Sequence, residues 1–208
     1  MPRNGFFGVK NSHFALCTDE DALTYLKPYA VPGTVEVKAT PSVQNAKSYA
    51  DNEVWSDDDC DNGGSGTLSM RDVESTPELR KLLALICGFD IDEAGHVLGS
   101  ANKERMPFAF MCQQEGKAVS KRRCYYMCRA SKPSLDAKTI EDKLDITQLD
   151  IDFDWKPVTL PSGWRGNHYD SYSDLSDYDK FFEKVKTDLK PVEIDAATVF
   201  GAATASEA

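Results

Sequence analysis

The chain is poor in the side chains that usually carry catalysis. It has three histidines, His13, His96 and His168, and none has a second His or Cys at metal-ligand spacing. No glycine loop leads into a Gly-Lys-Ser/Thr run, so a phosphate-cradling P-loop is missing. No nucleophile elbow occurs either: Gly64-Ser65-Gly66-Thr67 lacks the trailing glycine such a turn needs. No segment approaches the roughly 20 apolar residues of a membrane-spanning helix. The opening Met1-Pro2-Arg3-Asn4-Gly5-Phe6-Phe7 holds no apolar run of signal-peptide length, so we expect folding in the cytosol of the cell that makes the chain. Positive charge is also short. Lys and Arg number 24 against 34 Asp and Glu, a net charge of −10, which argues against a binder that must neutralise phosphates. Acidity otherwise speaks mainly to solubility. There is no internal repeat and no βαβ rhythm, which excludes solenoids and doubly wound sheets.

What is present suits one domain with a sizeable core: 208 residues, 41% hydrophobic and 10% aromatic. The six cysteines are Cys17, Cys60, Cys87, Cys112, Cys124 and Cys128. Cys124 and Cys128 fall in one apparent strand, where a spacing of four residues separates them by about 13 Å on one face. That is too far for a disulfide, whose Cα atoms lie within about 7 Å, and too far for two ligands of one zinc. We expect reduced, half-buried thiols.

Hydrophobic alternation marks strands at residues 13–18 and 34–40, the latter with Val35, Val37 and Ala39 on one face. Residues 19–26 read as a short helical turn, residues 41–48 as a loop, 48–55 as strand-like, 57–66 as an acidic, glycine-rich turn, and 67–73 as a further strand. A capped helix follows. Ser75 and Glu78 have capping-box spacing, Pro77 suits a first helical position, and Gly88 sits where a left-handed C-cap is wanted. Leu79, Leu82, Leu83 and Ile86 form its apolar stripe. Phe108, Phe110 and Cys112 open the clearest hairpin, with a turn at Glu115-Gly116-Lys117 and a return strand over 121–130. On that return strand Cys124, Tyr126 and Cys128 are expected on one face, and Arg123, Tyr125, Met127 and Arg129 on the other. In residues 145–155, Ile151, Phe153 and Trp155 alternate with Asp150, Asp152 and Asp154. Residues 160–174 read as an exposed loop and 174–189 as a second helix, carrying Leu175, Tyr178, Phe181, Phe182 and Val185 and stopped by Pro191. Residues 194–208 are small and Ala-rich, a docking arm or a frayed tail. Together these elements predict a mainly β protein, a β-sandwich or open barrel with flanking helices.

Candidate chemistry is thin. Asp57-Asp58-Asp59-Cys60-Asp61-Asn62-Gly63 resembles a calcium loop, but its glycine falls one position late and its twelfth position is Leu68. A solvated acidic turn is the plainer reading. Alternate aspartates on a strand lie about 6.6 Å apart, a spacing that suits acid and base work. Yet Asp150, Asp152 and Asp154 simply repeat along one face, which reads as a solvated, acidic sheet surface. The basic cluster Lys117, Lys121, Arg122 and Arg123 is expected to meet solvent or an acidic neighbour. Trp155 reads as core and Trp164 as a loop anchor. We expect no enzyme activity, no catalytic residue, no cofactor and no metal.

An ordered set of segments resembles the major tail tube protein family of long-tailed bacteriophages. These are Gly5-Phe6-Phe7-Gly8-Val9-Lys10-Asn11 leading into His13-Phe14-Ala15, then Pro32-Gly33-Thr34-Val35, Tyr49-Ala50-Asp51-Asn52, the turn and strand over 63–68, the helix over 77–88 and the hairpin over 107–128. The likeness covers residues 5–157, and from Leu160 onward the chain departs from it. The resemblance implies a single tail-tube domain over 1–208, with a long loop or hairpin at 41–66 and a variable loop, C-terminal helix and arm at 160–208. Its fold would be a β-sandwich or open barrel with flanking α structure, whose strands join a ring-wide inner β-barrel. Six copies would form a ring, and rings would stack into a tube that delivers DNA. Partners would be further copies, the tape measure, terminator and baseplate proteins, and DNA in transit, with no membrane. The place of action would be the virion tail, assembled in the host cytoplasm. On that reading Asp150, Asp152, Asp154 and then Glu36 are the candidate lumen-facing acids. Val43, Gln44, Asn45, Lys47, Tyr49, Asp51 and Asn52 are candidates for contacts between rings, and the two chain ends for bridging subunits. Alternatives are a tail terminator or baseplate adaptor ring of the same fold, or a calcium-dependent carbohydrate-binding β-sandwich using residues 57–61 and the tryptophans.

Overall fold

The computed structural model describes residues 5–50, 53–71, 76–133 and 148–192, with the backbone alone over 44–50 and 53–60. In chain order the elements are β1 (Phe6–Asp19), β2 (Thr24–Tyr25), β3 (Tyr29–Ala30), β4 (Thr34–Ala50), β5 (Glu53–Met70), α1 (Pro77–Cys87), β6 (Asp90–Ile91), β7 (Val97–Leu98), β8 (Phe108–Gly116), β9 (Lys121–Ala130), β10 (Leu149–Trp155), β11 (Val158–Thr159), β12 (Arg165–Gly166) and β13 (His168–Tyr172). Nine strands make one antiparallel sheet in the order β2-β1-β8-β9-β10-β5-β4, with β3 added to β1 and β13 to β9. The pairs β6–β7 and β11–β12 stand apart as two-stranded ribbons. The chain is thus mainly β, with one α-helix among the described residues.

The sheet curls so far that the starts of β1 and β4 line one shared groove. The inner face of the curl packs Phe14, Leu68, Phe108, Phe110, Ile151, Phe153 and Trp155 against α1. Leu79, Leu82, Leu83 and Ile86 of the helix are all buried there, each adding about 1.5–3 kcal/mol of hydrophobic stabilisation. The helix begins at Thr76, whose Oγ1 accepts from the Leu79 N–H at 3.3 Å, with Pro77 in its first turn. So Thr76, not Ser75, is the cap, and Ser75 lies outside the described residues. Gly88 ends the helix at φ 73°, ψ 44°.

A second cluster covers the outer face. Ala109 and Met111 of β8 and Cys124 and Tyr126 of β9 meet Leu160, Phe181 and Val185. Strand β8 is therefore buried on both sides over residues 108–112.

Several expectations are corrected. Residues 41–48 and 57–66 are not loop and turn: they lie within β4 and β5, which run 17 and 18 residues and pair from Thr34↔Met70 to Ala50↔Glu53. The glycines of β5 make room for aromatic rings. Gly64 and Gly66 sit directly opposite Trp155 and Phe153, and a Cβ on Gly64 would lie 2.3 Å from the Trp155 ring. Residues 19–26 form a turn into β2 and no helix. Cys124 and Cys128 do not share a face, because Met127 at φ 44° creates a bulge opposite Phe108 and Phe110. Cys124 joins the outer cluster and Cys128 the inner core.

Residues 160–174 are not an exposed loop. They include β12 and β13, and Leu160, Asn167 and Ser171 are buried. Residues 174–189 form no α-helix. Successive N–H groups at Tyr178, Lys180, Phe181 and Glu183 donate three residues back, giving tight turns and one short 3-10 segment, Tyr178–Lys180. Asp and Ser in this stretch favour such local bonding over helix. Arg122 locks the segment down. Its guanidinium lies 3.7 Å from the Tyr178 ring centroid and 4.8 Å from that of Phe182, and it donates to the Tyr178 carbonyl and, at 3.0 Å, to Gln113.

Candidate functional site

Three features remain once the core is accounted for. The first is the outward face of β10, β5 and β4. Cross-strand register sets Asp150 beside Ser69 and Glu36, Asp152 beside Thr67 and Lys38, and Asp154 beside Ser65, Thr40 and Arg129. Directly opposed residues share a face, so the structure gathers Asp150, Asp152, Asp154 and Glu36 on one surface. The three aspartates are exposed while Ile151, Phe153 and Trp155 point inward. Thr67 donates to Asp152 Oδ1 at 2.6 Å. Lys38 pairs with Glu36 at 3.1 Å and Arg129 pairs with Glu20. Among the described residues none of the three aspartates is ion-paired. The face therefore carries uncompensated negative charge over short Ser and Thr side chains.

The second feature is the outer part of the β4–β5 hairpin. Strand β10 follows β5 only as far as Gly64. Beyond it, among the described residues, Val43 to Ala50 pair with Asp61 to Glu53 alone. That arm is roughly 25 Å long at about 3.3 Å per residue. Its backbone register holds Gln44 opposite Cys60, Asn45 opposite Asp59, Lys47 opposite Asp57 and Tyr49 opposite Val54. Val43 is exposed, whereas Asp51 and Asn52 lie outside the described residues. The acidic run 57–61 is extended strand, not a cation-wrapping turn. Asp61 is engaged at the root of the arm, accepting from the Gly63 N–H at 2.9 Å and from Asn167 Nδ2 at 2.7 Å.

The third feature is a groove of about 420 Å³ where the sheet fails to close. Phe6, Phe7 and Val9 of β1 form one wall and Val35, Val37 and Ala39 of β4 the other, over a floor that includes Gln114, Lys121, Arg123 and Tyr125. Arg123 is held by Asp170 in a two-pronged bond at 2.6 and 2.7 Å, which keeps its proton firmly bound. Burial is the main cause of a lowered His168 pKa, reinforced by the nearby Arg123 charge. Sequence reasoning missed this groove. Its signal was the run of large apolar residues at Phe6, Phe7 and Val9, with no partner strand obvious in the sequence.

The remaining candidate residues are dispersed. Trp155 is buried in the inner core, which removes it from any sugar platform, and Trp164 packs beside Gly166 against the outer cluster. His13 stacks on Phe182 at 4.2 Å, and His96 pairs with Asp92 at the surface. Among the described residues no three His, Cys, Asp or Glu side chains gather as a metal site would require. Buried thiols are held protonated: burial pushes Cys87 up to about 11 and Cys112 up to about 12.

Compared with protein-family models and with curated protein sequences, the chain shows no match.

Proposed function

We propose that this chain is a structural subunit of a phage tail tube, a ring-forming protein whose hexamers stack into the conduit for DNA. The observation that carries the reading is the β4–β5 arm, eight residues of β4 paired with β5 past the last strand the sheet supplies. A two-stranded ribbon is marginal by itself in water, so an arm of this length is best explained by a partner that covers it. A neighbouring copy in the next ring is such a partner. Among the described residues β4 and the start of β1 each have an edge with no ladder partner, which favours association in the same way, since closure with other copies removes exposed edges.

The acidic face supplies the second half of the reading. A lumen lined by Asp150, Asp152, Asp154 and Glu36 repels phosphates, so DNA slides without adhering. The ordered segments that resemble tail tube proteins support the same conclusion. The role is assembly and passage, with no reaction assigned.

Electron cryomicroscopy of the assembled protein tests both halves. The expected reconstruction has the β4–β5 arm crossing between rings and the β10 aspartates turned to the axis. Aspartates on the outer wall would overturn the lumen assignment. Single rings that never stack would favour a terminator or adaptor of the same fold.

A further inference from the structure

The β4–β5 arm leaves the sheet through a bulge. Pro41 pairs with Gly64 and Val43 with Asp61, so Ser42 on β4 faces two residues of β5, Asn62 and Gly63. Two residues against one bend the bulged strand and raise its local twist. The bulge falls where β10 ends, at Trp155↔Gly64. Gly63, at φ 97°, is pressed onto that end: a Cβ there would lie 2.0 Å from the Trp155 carbonyl oxygen. The direction of the arm is therefore set at residues 61–64 and by the groups that hold them.

One buried side chain from a distant part of the chain reaches this point. Asn167 is the single residue between β12 and β13 and is 5% exposed. Its carbonyl oxygen accepts from the Tyr126 N–H at 2.9 Å, which seats it on β9. Its Nδ2 donates to Asp61 Oδ2 at 2.7 Å, while Asp61 Oδ1 accepts from the Gly63 N–H at 2.9 Å. A carboxylate only accepts, so the amide turns its NH₂ to Asp61 and its oxygen away. That oxygen meets His168 Nδ1, which therefore donates to it. The His168 ring lies 5.8 Å from that of Tyr125, and the Tyr125 hydroxyl accepts from Arg123 at 3.3 Å. Arg123 is itself fixed by Asp170. The amide is thus oriented from the body of the sheet, and its donor is committed to the root of the arm.

We infer that Asn167 aims the arm: its amide clamps Asp61 and sets the angle at which residues 43–61 leave the sheet toward a neighbouring copy. Asn167 is a positioning residue, acting through Asp61 and the bulge. The inference rests on the tube reading for the neighbour, whereas the clamp belongs to the single chain, so the two fail separately.

Exchanging the two residues in the full chain tests it. Asn167→Asp sets two carboxylates against each other with no donor between them. Adding Asp61→Asn returns a donor from the other side, keeps an oxygen for the Gly63 N–H and leaves a carboxylate oxygen for His168. Shape is nearly unchanged throughout, so a role in packing alone would not follow this pattern. Nitroxides carried by Asn45→p-acetylphenylalanine on the arm and Thr159→p-acetylphenylalanine at an exposed site of the body report the arm's direction by pulsed electron double resonance, with labelled chain diluted into unlabelled chain. The parent should give a single narrow distance. Asn167→Asp should lose that peak and form about tenfold fewer tubes, and the double exchange should recover both. Asp61→Ala, at an exposed position, removes the same bond and should also lose the peak, which keeps the test decisive where Asn167→Asp folds poorly. A narrow distance that persists in Asp61→Ala, or a double exchange that recovers neither peak nor tubes, overturns the inference. A parent that stays monomeric sinks the tube reading, and the distance measurement on that monomer still decides the clamp.

Discussion

At the scale of single residues, Gly64 shows how a local signal misleads. A Gly-Gly-Ser-Gly run reads as a turn because glycine tolerates turn geometry. Here the missing side chains admit the rings of Trp155 and Phe153 from the opposite strand, and a Cβ on Gly64 would also lie 2.4 Å from the Thr40 carbonyl oxygen. Gly64→Ala should therefore cost about 1–3 kcal/mol through overpacking. Gly99→Ala, with open space around it, should stay within about 0.5 kcal/mol. Denaturant titration distinguishes them, and equal midpoints would contradict the close packing.

The thiols make a pH prediction at the same scale. Cys87 and Cys112 keep their protons above the ordinary value of 9.0, to about 11 and about 12, because burial disfavours the thiolate. An unfolded chain releases those protons near 9. Above that pH the unfolded state binds fewer protons than the folded one, so stability falls as pH rises from 9 toward 11 and 12. Native protein should react slowly with a thiol reagent at pH 8, and its unfolding midpoint should drop on going from pH 8.5 to 10.5. Rapid native labelling of Cys87 or Cys112 would contradict this.

At the scale of elements, the sequence disclosed what rests on period and punctuation. The helix was legible through Pro77, its apolar stripe and Gly88. Strand β10 was legible through strict alternation of acid and apolar residues. The β8–β9 hairpin was legible too, but its bulge at Met127 was not, because left-handed backbone at a methionine leaves no sequence mark. The long β4–β5 hairpin was hidden because Pro, Ser, Asn, Asp and Gly are poor strand formers in isolation. The ladder between the two strands overrides their propensities. The 174–189 segment failed the other way: its apolar spacing mimics a helix, while Phe181 and Val185 in fact anchor a chain of tight turns on the outer cluster and Tyr178 stacks on Arg122.

The arm also carries a prediction. Among the described residues no third strand pairs with residues 44–50 and 53–60. Replacing residues 44–60 by a two-residue Asn-Gly turn, which suits a hairpin, should leave a folded domain melting within a few degrees of the parent. Stacking should be abolished. Thermal melting and electron microscopy check the two parts, and tubes of normal length would remove the arm from the contacts between rings.

At the scale of the whole molecule, the acidic face and the groove belong to one curled nine-stranded sheet. The candidate lumen residues were legible in the sequence because alternation fixed which side chains shared a face. The groove was not, since it arises only where β1 and β4, far apart in the strand order, come together in space. Reversing charge with Asp150→Lys, Asp152→Lys and Asp154→Lys should preserve folding, as all three are exposed. The assembled variant should retain DNA in a salt-sensitive manner that the parent does not, read by gel retardation at two ionic strengths. Equal mobility of DNA with both proteins would contradict a lumen lined by these aspartates.

Negative-stain imaging of the purified full chain, with sedimentation velocity on the same sample, bears most directly on the tube reading. Rings of uniform diameter that stack into hollow filaments are the predicted result. A homogeneous monomer that stays monomeric as concentration rises would contradict it.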